Sequence, residues 1–216
     1  LLSDSAAFHE VDEAVRKDEI RAWWGRYGSW VVAAAVVMVV AVAGLVGWRQ
    51  YDTAQRAQAS AAYSAALAKL AQDPAAARAE FDKQSSSAPE PYRSLAALIA
   101  AQLREPVDAQ VSALLAVAPT LSAHELTDLA TVIAGYKSVD SPRADEMVAK
   151  LEPLAGPDRP FRLSVRELEA LVAQRKGDAK RARDLWSEIA KDPAAPQGAA
   201  QRAAAMLNFY GAAEAK

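Results

Sequence analysis

The chain has 216 residues, 52% of them hydrophobic, with 25 Lys+Arg against 27 Asp+Glu and a formal net charge of −2. That balance excludes the basic patch or stripe that nucleic-acid binding requires, and it leaves no polybasic segment for an anionic lipid surface. There is no cysteine, which rules out disulfides, thiol catalysis, iron–sulfur clusters and cysteine-ligated zinc.

Residues 1–28 carry six acids and four bases, so the rest of the chain is neutral overall. Leu1 stands where a start methionine would, which leads us to expect further residues ahead of it. Phe8, Val11 and Val15 recur at helical spacing, with Asp12, Glu13, Arg16 and Lys17 opposite. This segment reads as a short cytoplasmic helix lying on a bilayer, as a docking element, or as a solvated tail. Ile20, Trp23, Trp24 and Tyr27 lead out of it.

From Trp30 to Trp48 no charged residue occurs. Roughly 19 residues at about 1.5 Å each give about 28 Å, close to the hydrocarbon thickness of a bilayer. Trp23, Trp24, Tyr27 and Trp30 bracket one end of this run, and Trp48 and Tyr51 the other. Amphipathic rings at both ends are what the headgroup regions favour. Arg16, Lys17, Arg21 and Arg26 precede the run, whereas only Arg49 and Arg56 follow closely. The positive-inside rule therefore places the N-terminus in the cytoplasm and the larger part of the chain across the membrane. A cleaved signal sequence is the competing reading, because Ala41-Val-Ala43 mimics a cleavage site. The long, mixed-charge region ahead of the run, and the length of the run itself, favour a retained anchor. The expected organisation is a tail over 1–28, a membrane helix over 29–48 and a helical domain over 49–216.

No Gly or Pro occurs between Trp48 and Gln72, so the membrane helix is expected to continue outward. Asp73-Pro74 is a helix start, with Asp as the cap and Pro in the first turn. Beyond it, Pro and Gly punctuate helices expected at 74–86, 90–103, 106–118, 122–138, 141–154, 159–176, 178–191 and 195–211. No window alternates as a strand would. Short connections between successive helices predict antiparallel hairpins stacked in series, an all-α solenoid.

Tetratricopeptide repeats set small residues in a first helix, then Ala, an aromatic and Pro at fixed steps in and after the second. Ala65, Ala68, Ala77, Phe81 and Pro89 show that spacing. Ala170, Ala173, Gly177-Asp178, Ala182, Trp186 and Ile189 show it again, with Pro193 one residue early. Ala77, Phe81, Ala182, Trp186 and Ile189 are thus the expected repeat-packing residues. The stretch from Pro91 to Pro160 fits only loosely, and a generic helical bundle is the alternative.

Catalytic constellations are missing. His9 and His124 lie on opposite sides of the apolar run, so they share neither a metal nor a proton relay if that run is an anchor. There is no His-Glu-x-x-His, no Gly-x-Ser-x-Gly and no phosphate-binding glycine loop. Pairs such as Asp145-Glu146 read as solvated helix faces. No enzyme, no cofactor and no metal are expected. Ala43-x-x-x-Gly47 is a weak prompt for helix packing.

Glu13-Ala-Val15, Trp24-Gly-Arg-Tyr-Gly28, Gly47-Trp-Arg-Gln-Tyr51, Pro160-Phe-Arg162, Glu169-Ala-Leu171 and Gly177-Asp178 together resemble the YfgM family. The resemblance implies a single-pass protein of the bacterial inner membrane with a periplasmic tetratricopeptide-like domain. It further implies an ancillary subunit of the SecYEG translocon that works with the chaperone PpiD. The expected function is a membrane-tethered interaction module. The alternative is a structural or assembly subunit of a respiratory or photosynthetic complex, bound through the span and the N-terminal segment.

Overall fold

The computed structural model describes residues 3–214, with side chains from 21 to 211. Phe8, Val11, Val15 and the histidine at position 9 lie outside the described side chains. All regular structure among the described residues is helical. The helices are α1 (Ser3–Lys69), α2 (Pro74–Ser87), α3 (Tyr92–Gln102), α4 (Val107–Val117), α5 (His124–Ser138), α6 (Ala144–Leu151), α7 (Arg162–Arg175), α8 (Ala179–Lys191) and α9 (Gln197–Glu214). Residues 1–55 and 56–216 form two separate compact units.

In the first unit, α1 runs through Gly25 and Gly28 without a break, so tail and apolar run belong to one helix. Two glycines cost a helix roughly 1 kcal/mol each relative to Ala, too little to end one this long. The apolar stretch is long and hydrophobic enough to cross a membrane, and none of it is buried against protein. Among the described side chains of this unit only Gly28 is buried, under the indole of Trp24.

The second unit begins with the end of α1 and continues to α9. Its helices pack on their neighbours in chain order, and α5 also reaches α7. The hairpins are the end of α1 with α2, α3 with α4, α5 with α6, and α7 with α8; α9 then closes on α8. A 3-10 turn closes two of the helices, one at an expected helix end and one inside the helix expected over 141–154. Pro119 turns the end of α4 into a 3-10 turn at Ala118–Thr120, and Pro153 does the same after α6 at Glu152–Leu154. Each proline lacks the N–H that an α-helix would need there.

Local chemistry fixes the hairpin turns. Asp73 caps α2, its Oδ1 accepting from the Ala76 N–H at 2.9 Å, with Pro74 in the first turn. Between α7 and α8 the chain passes through Gly177 at φ 80°, a conformation that strains any L-residue with a side chain. The N–H of Asp178 reaches the Ala173 carbonyl and that of Gly177 reaches Gln174, so the last carbonyls of α7 are satisfied. Asp178 then caps α8 by accepting from the Arg181 N–H at 2.9 Å.

The core is four overlapping clusters. Ala66, Phe81 and Ala96 join the end of α1 to α2 and α3. Leu98, Val111, Leu114, Ala130 and Met147 join α3 through α6. Val132, Leu151, Val165 and Leu168 join α5 to α7, and Ala170, Leu185, Trp186 and Ala203 join α7 to α9. Each cluster holds a hairpin to the helix that follows it, which is how stacked repeats bury surface that no single hairpin could. At the centre, α5 approaches its neighbours so closely that a Cβ on Gly135 would lie 2.7 Å from both Leu151 Cδ1 and Leu168 Cδ2.

Candidate functional site

Two surfaces offer themselves, one in each unit. In the first, aromatic rings stand out from α1. Trp23 meets Trp24 at 5.9 Å and Tyr27 at 5.8 Å between ring centroids, as neighbouring positions on one helix allow. Trp30, Trp48 and Tyr51 are exposed as well, and the Tyr51 hydroxyl accepts from Gln55 Nε2 at 3.1 Å. The valines between them, from Val31 to Val46, are exposed on every side of the helix. In water such a surface is costly, at about 25 cal/mol for each Å² of apolar area.

In the second unit the candidate repeat residues are interior. Ala77 and Phe81 are buried in α2, and Ala182, Trp186 and Ile189 in α8. Phe81 meets Tyr63 edge-on at 5.4 Å. Ala170 and Ala173 are buried in α7, but the first repeat is packed in a different register from the one its spacing suggested. Ala65 and Ala68 are exposed; α1 instead buries Ala59 and Ala66, with Tyr63 and Leu70 half-buried beside them. In a run so rich in alanine several registers fit, and the larger Tyr63 and Leu70 decide which face turns inward.

A polar chain that no motif announces crosses α5, α7 and α9. Glu167, only 8% exposed, accepts from Arg202 Nε and Nη2, each at 2.8 Å. Tyr136 donates to the Ser164 carbonyl at 3.1 Å. Burial pushes the Tyr136 phenol far up, and the nearby Glu167 carboxylate adds to the rise. Residues 35 apart in sequence give no short-range signal of such a pair. Arg162 grips Asp192 at the end of α8, holding that carboxyl below its ordinary value.

Glu90, Ser94 and Ser122 tie the turn before α3 to the turn before α5. Ser122 donates to Glu90 Oε2 at 3.1 Å, and the Ser122 N–H reaches Ser94 Oγ at 3.0 Å. Burial raises the Glu90 carboxyl, but hydrogen bonds from Arg93, Ser94 and Ser122 outweigh it and bring the pKa below the usual 4.5.

Shallow cavities accompany these features. One of about 370 Å³ lies between the starts of α7 and α9, against Ser164, Glu167, Pro196 and Arg202. Another, of about 260 Å³, has a floor of Val148, Val172 and Ala173. Among the described residues no three His, Cys, Asp or Glu side chains converge as metal ligands. His124 is exposed at the start of α5.

The sequence pattern of the family described as tetratricopeptide repeat-like domain matches residues 21–203. The chain belongs to the tetratricopeptide repeat-like family. No curated protein and no solved structure matches it. The tetratricopeptide repeat-like fold is a protein-interaction fold and is typically non-catalytic. In this tetratricopeptide repeat-like chain the family match begins at Arg21, ahead of the apolar run, so the apolar helix and the helical hairpins fall within one shared pattern.

Proposed function

We propose that this chain is a membrane-anchored interaction module, in which the apolar part of α1 spans a bilayer and the helical repeats present a surface to protein partners. The observation that carries this reading is the family match starting at Arg21, which takes in both the apolar helix and the repeats. The fully exposed valines and the rings at both ends of the run support the membrane part of the reading. Anchoring raises the concentration of the repeats beside a membrane complex, so individually weak contacts suffice.

In finer detail, residues 1–28 form a cytoplasmic tail, 29–48 the span, and 49–216 a periplasmic domain in the bacterial inner membrane. Trp23, Trp24, Tyr27, Trp30, Trp48 and Tyr51 sit at the headgroup levels. The resemblance to YfgM names the partners, a SecYEG-like translocon and a PpiD-like chaperone. The test is affinity purification of the full chain from membranes in mild detergent, followed by mass spectrometry. Translocon subunits are expected. Recovery of respiratory or photosynthetic subunits alone, lost on deletion of residues 1–28, would overturn the translocon assignment. Topology is read from single cysteines placed at Ser5 and Ser87 of the cysteine-free chain. Only the second is expected to react with an impermeant thiol reagent in intact spheroplasts.

A further inference from the structure

The two faces of α9 differ in kind. One buries Ala203 and Tyr210 against α8, with Met206 and Leu207 half-buried beside them. The other carries Gln201, Ala204, Ala205, Asn208 and Phe209, all of them exposed, the phenyl ring to 59%. Positions three, four, seven and eight beyond Gln201 share its side of the helix, so the five form one continuous strip. No charge lies between Arg202 and Glu214 in the sequence, and Arg202 is turned to Glu167. By contrast α8 presents Lys180, Arg181, Asp184, Glu188 and Lys191 to solvent. Stacked helices need a polar outer face where the stacking stops. Here α9, the last described helix, offers a ring, two alanines and two uncharged amides.

We infer that this strip pairs with the same strip of a second copy of the chain, the two α9 helices lying antiparallel about a two-fold axis. Such an axis demands a self-complementary surface, and the order of residues along the strip supplies one. With the axis beside Ala204 and Ala205, each alanine meets its own counterpart, and side chains this small let the helices come close. Gln201 and Asn208 lie equally far from the axis on opposite sides, so each Gln201 faces Asn208 of the other copy. Both amides have a donor and an acceptor to exchange there. Phe209 then falls into the hole between Gly198, Gln201, Arg202 and Ala205 of the other copy, four positions at the spacing that receives a knob. Gly198, with no side chain, leaves the ring room. Arg202 already has Glu167 as its counter-ion, so no unpaired charge is buried. The strip offers roughly 400 Å² per copy, half of what a standard interface buries, and the pairing is weak in dilute solution. Anchoring two copies in one bilayer raises their effective concentration, and for that strength the inference rests on the anchored-module reading.

The full chain has no native cysteine, so single cysteines report the pairing in lipid vesicles under mild oxidation. Cross-linking is scored only on chain that floats with the vesicles, which separates failure of the pairing from failure of the anchor. Ala204→Cys is expected to form a disulfide-linked dimer at least about tenfold faster than Ala149→Cys, an exposed position on α6, because the bond demands close Cβ atoms. Gln201→Cys and Asn208→Cys are each expected to stay monomeric alone and to cross-link when the two chains share vesicles. Adding Ala205→Arg to the Ala204→Cys chain is expected to cut its dimer at least about fivefold, since like charges then meet at the axis. Ala205 is exposed, and an unchanged thermal midpoint by circular dichroism shows that this variant is folded. Equal rates at 204 and 149, Gln201→Cys joining itself as fast as it joins Asn208→Cys, or a dimer indifferent to Ala205→Arg would each overturn the inference. None of these outcomes touches the co-purification that tests the anchored-module reading.

Discussion

Trp186 and Trp30 show how differently two parts of the chain use the same side chain. Trp186 is 2% exposed, enclosed by alanines and leucines of α7 to α9, whereas Trp30 is 76% exposed on a helix whose apolar residues face every direction. Both the amount of apolar surface and its arrangement separate the two regions. Along α8 the apolar residues gather on one face, which neighbouring helices cover. Along the run from Trp30 to Trp48 they surround the axis, and no protein covers them. A helix of that kind is satisfied by an apolar solvent rather than by a partner face.

The sharpest way to test the contrast is to remove each ring in turn. Trp186→Ala should cost about 3–5 kcal/mol of folding stability, since it empties a filled site. Trp30→Ala should leave the stability of the repeats within about 0.5 kcal/mol. Urea denaturation followed by circular dichroism reads both, and equal losses would mean that the two rings do the same work. A charge breaks the other side of the comparison. Val37→Arg, at the middle of the run, should disfavour membrane insertion by about 2.5–3.5 kcal/mol. The measurement is the fraction of chain that resists alkaline extraction from membranes, and an unchanged fraction would remove the span reading.

A smaller effect is expected where helices touch rather than where side chains fill. Gly135→Ala should destabilise the repeats by about 1–3 kcal/mol, because Leu151 and Leu168 must retreat from the added methyl. In the charge-free run, Gly44→Ala meets open space and should be neutral or slightly favourable to the helix. Thermal unfolding of the two variants compares them directly. The smallest effect is a dependence on pH. The folded Glu90 carboxyl titrates below 4.5, so its contribution is present in full above that pH and fades as the pH falls through the folded value. The stability difference between the natural chain and Glu90→Gln should therefore narrow on acidification below pH 4.5, as urea midpoints would show. A gap that widens there would mean the hydrogen bonds of Ser94 and Ser122 do not act on the charged form.

Much of the fold could be read from the residues that end helices. Asp73-Pro74 and Gly177-Asp178 act through their own backbone and the next turn, so a few residues of sequence contain the whole reason. Phe81 and Trp186 were legible for a similar cause, being large rings spaced four from a small residue on the same helix. Other features depend on where distant segments meet. Nothing near Glu167 marks it for Arg202, and nothing near Ser94 marks it for Ser122. Gly135 could pass for an ordinary helical glycine until α6 and α7 arrive against it. The alanine-rich end of α1 hid its own register, because Ala65 and Ala66 differ in nothing except which way they face.

The four overlapping clusters have a consequence for how the repeats come into being. Three of the clusters are complete as soon as the helix following their hairpin has been made, the central one waits only for Met147 of α6, and none draws on a segment much further along the chain. Low sequence separation between contacting residues favours rapid folding and little time spent with apolar surface uncovered. A chain emerging at several residues per second would close Phe81 against Ala96 before Trp186 exists. The repeats are therefore built to assemble in the order of synthesis, each hairpin finishing the shelter of the one before it.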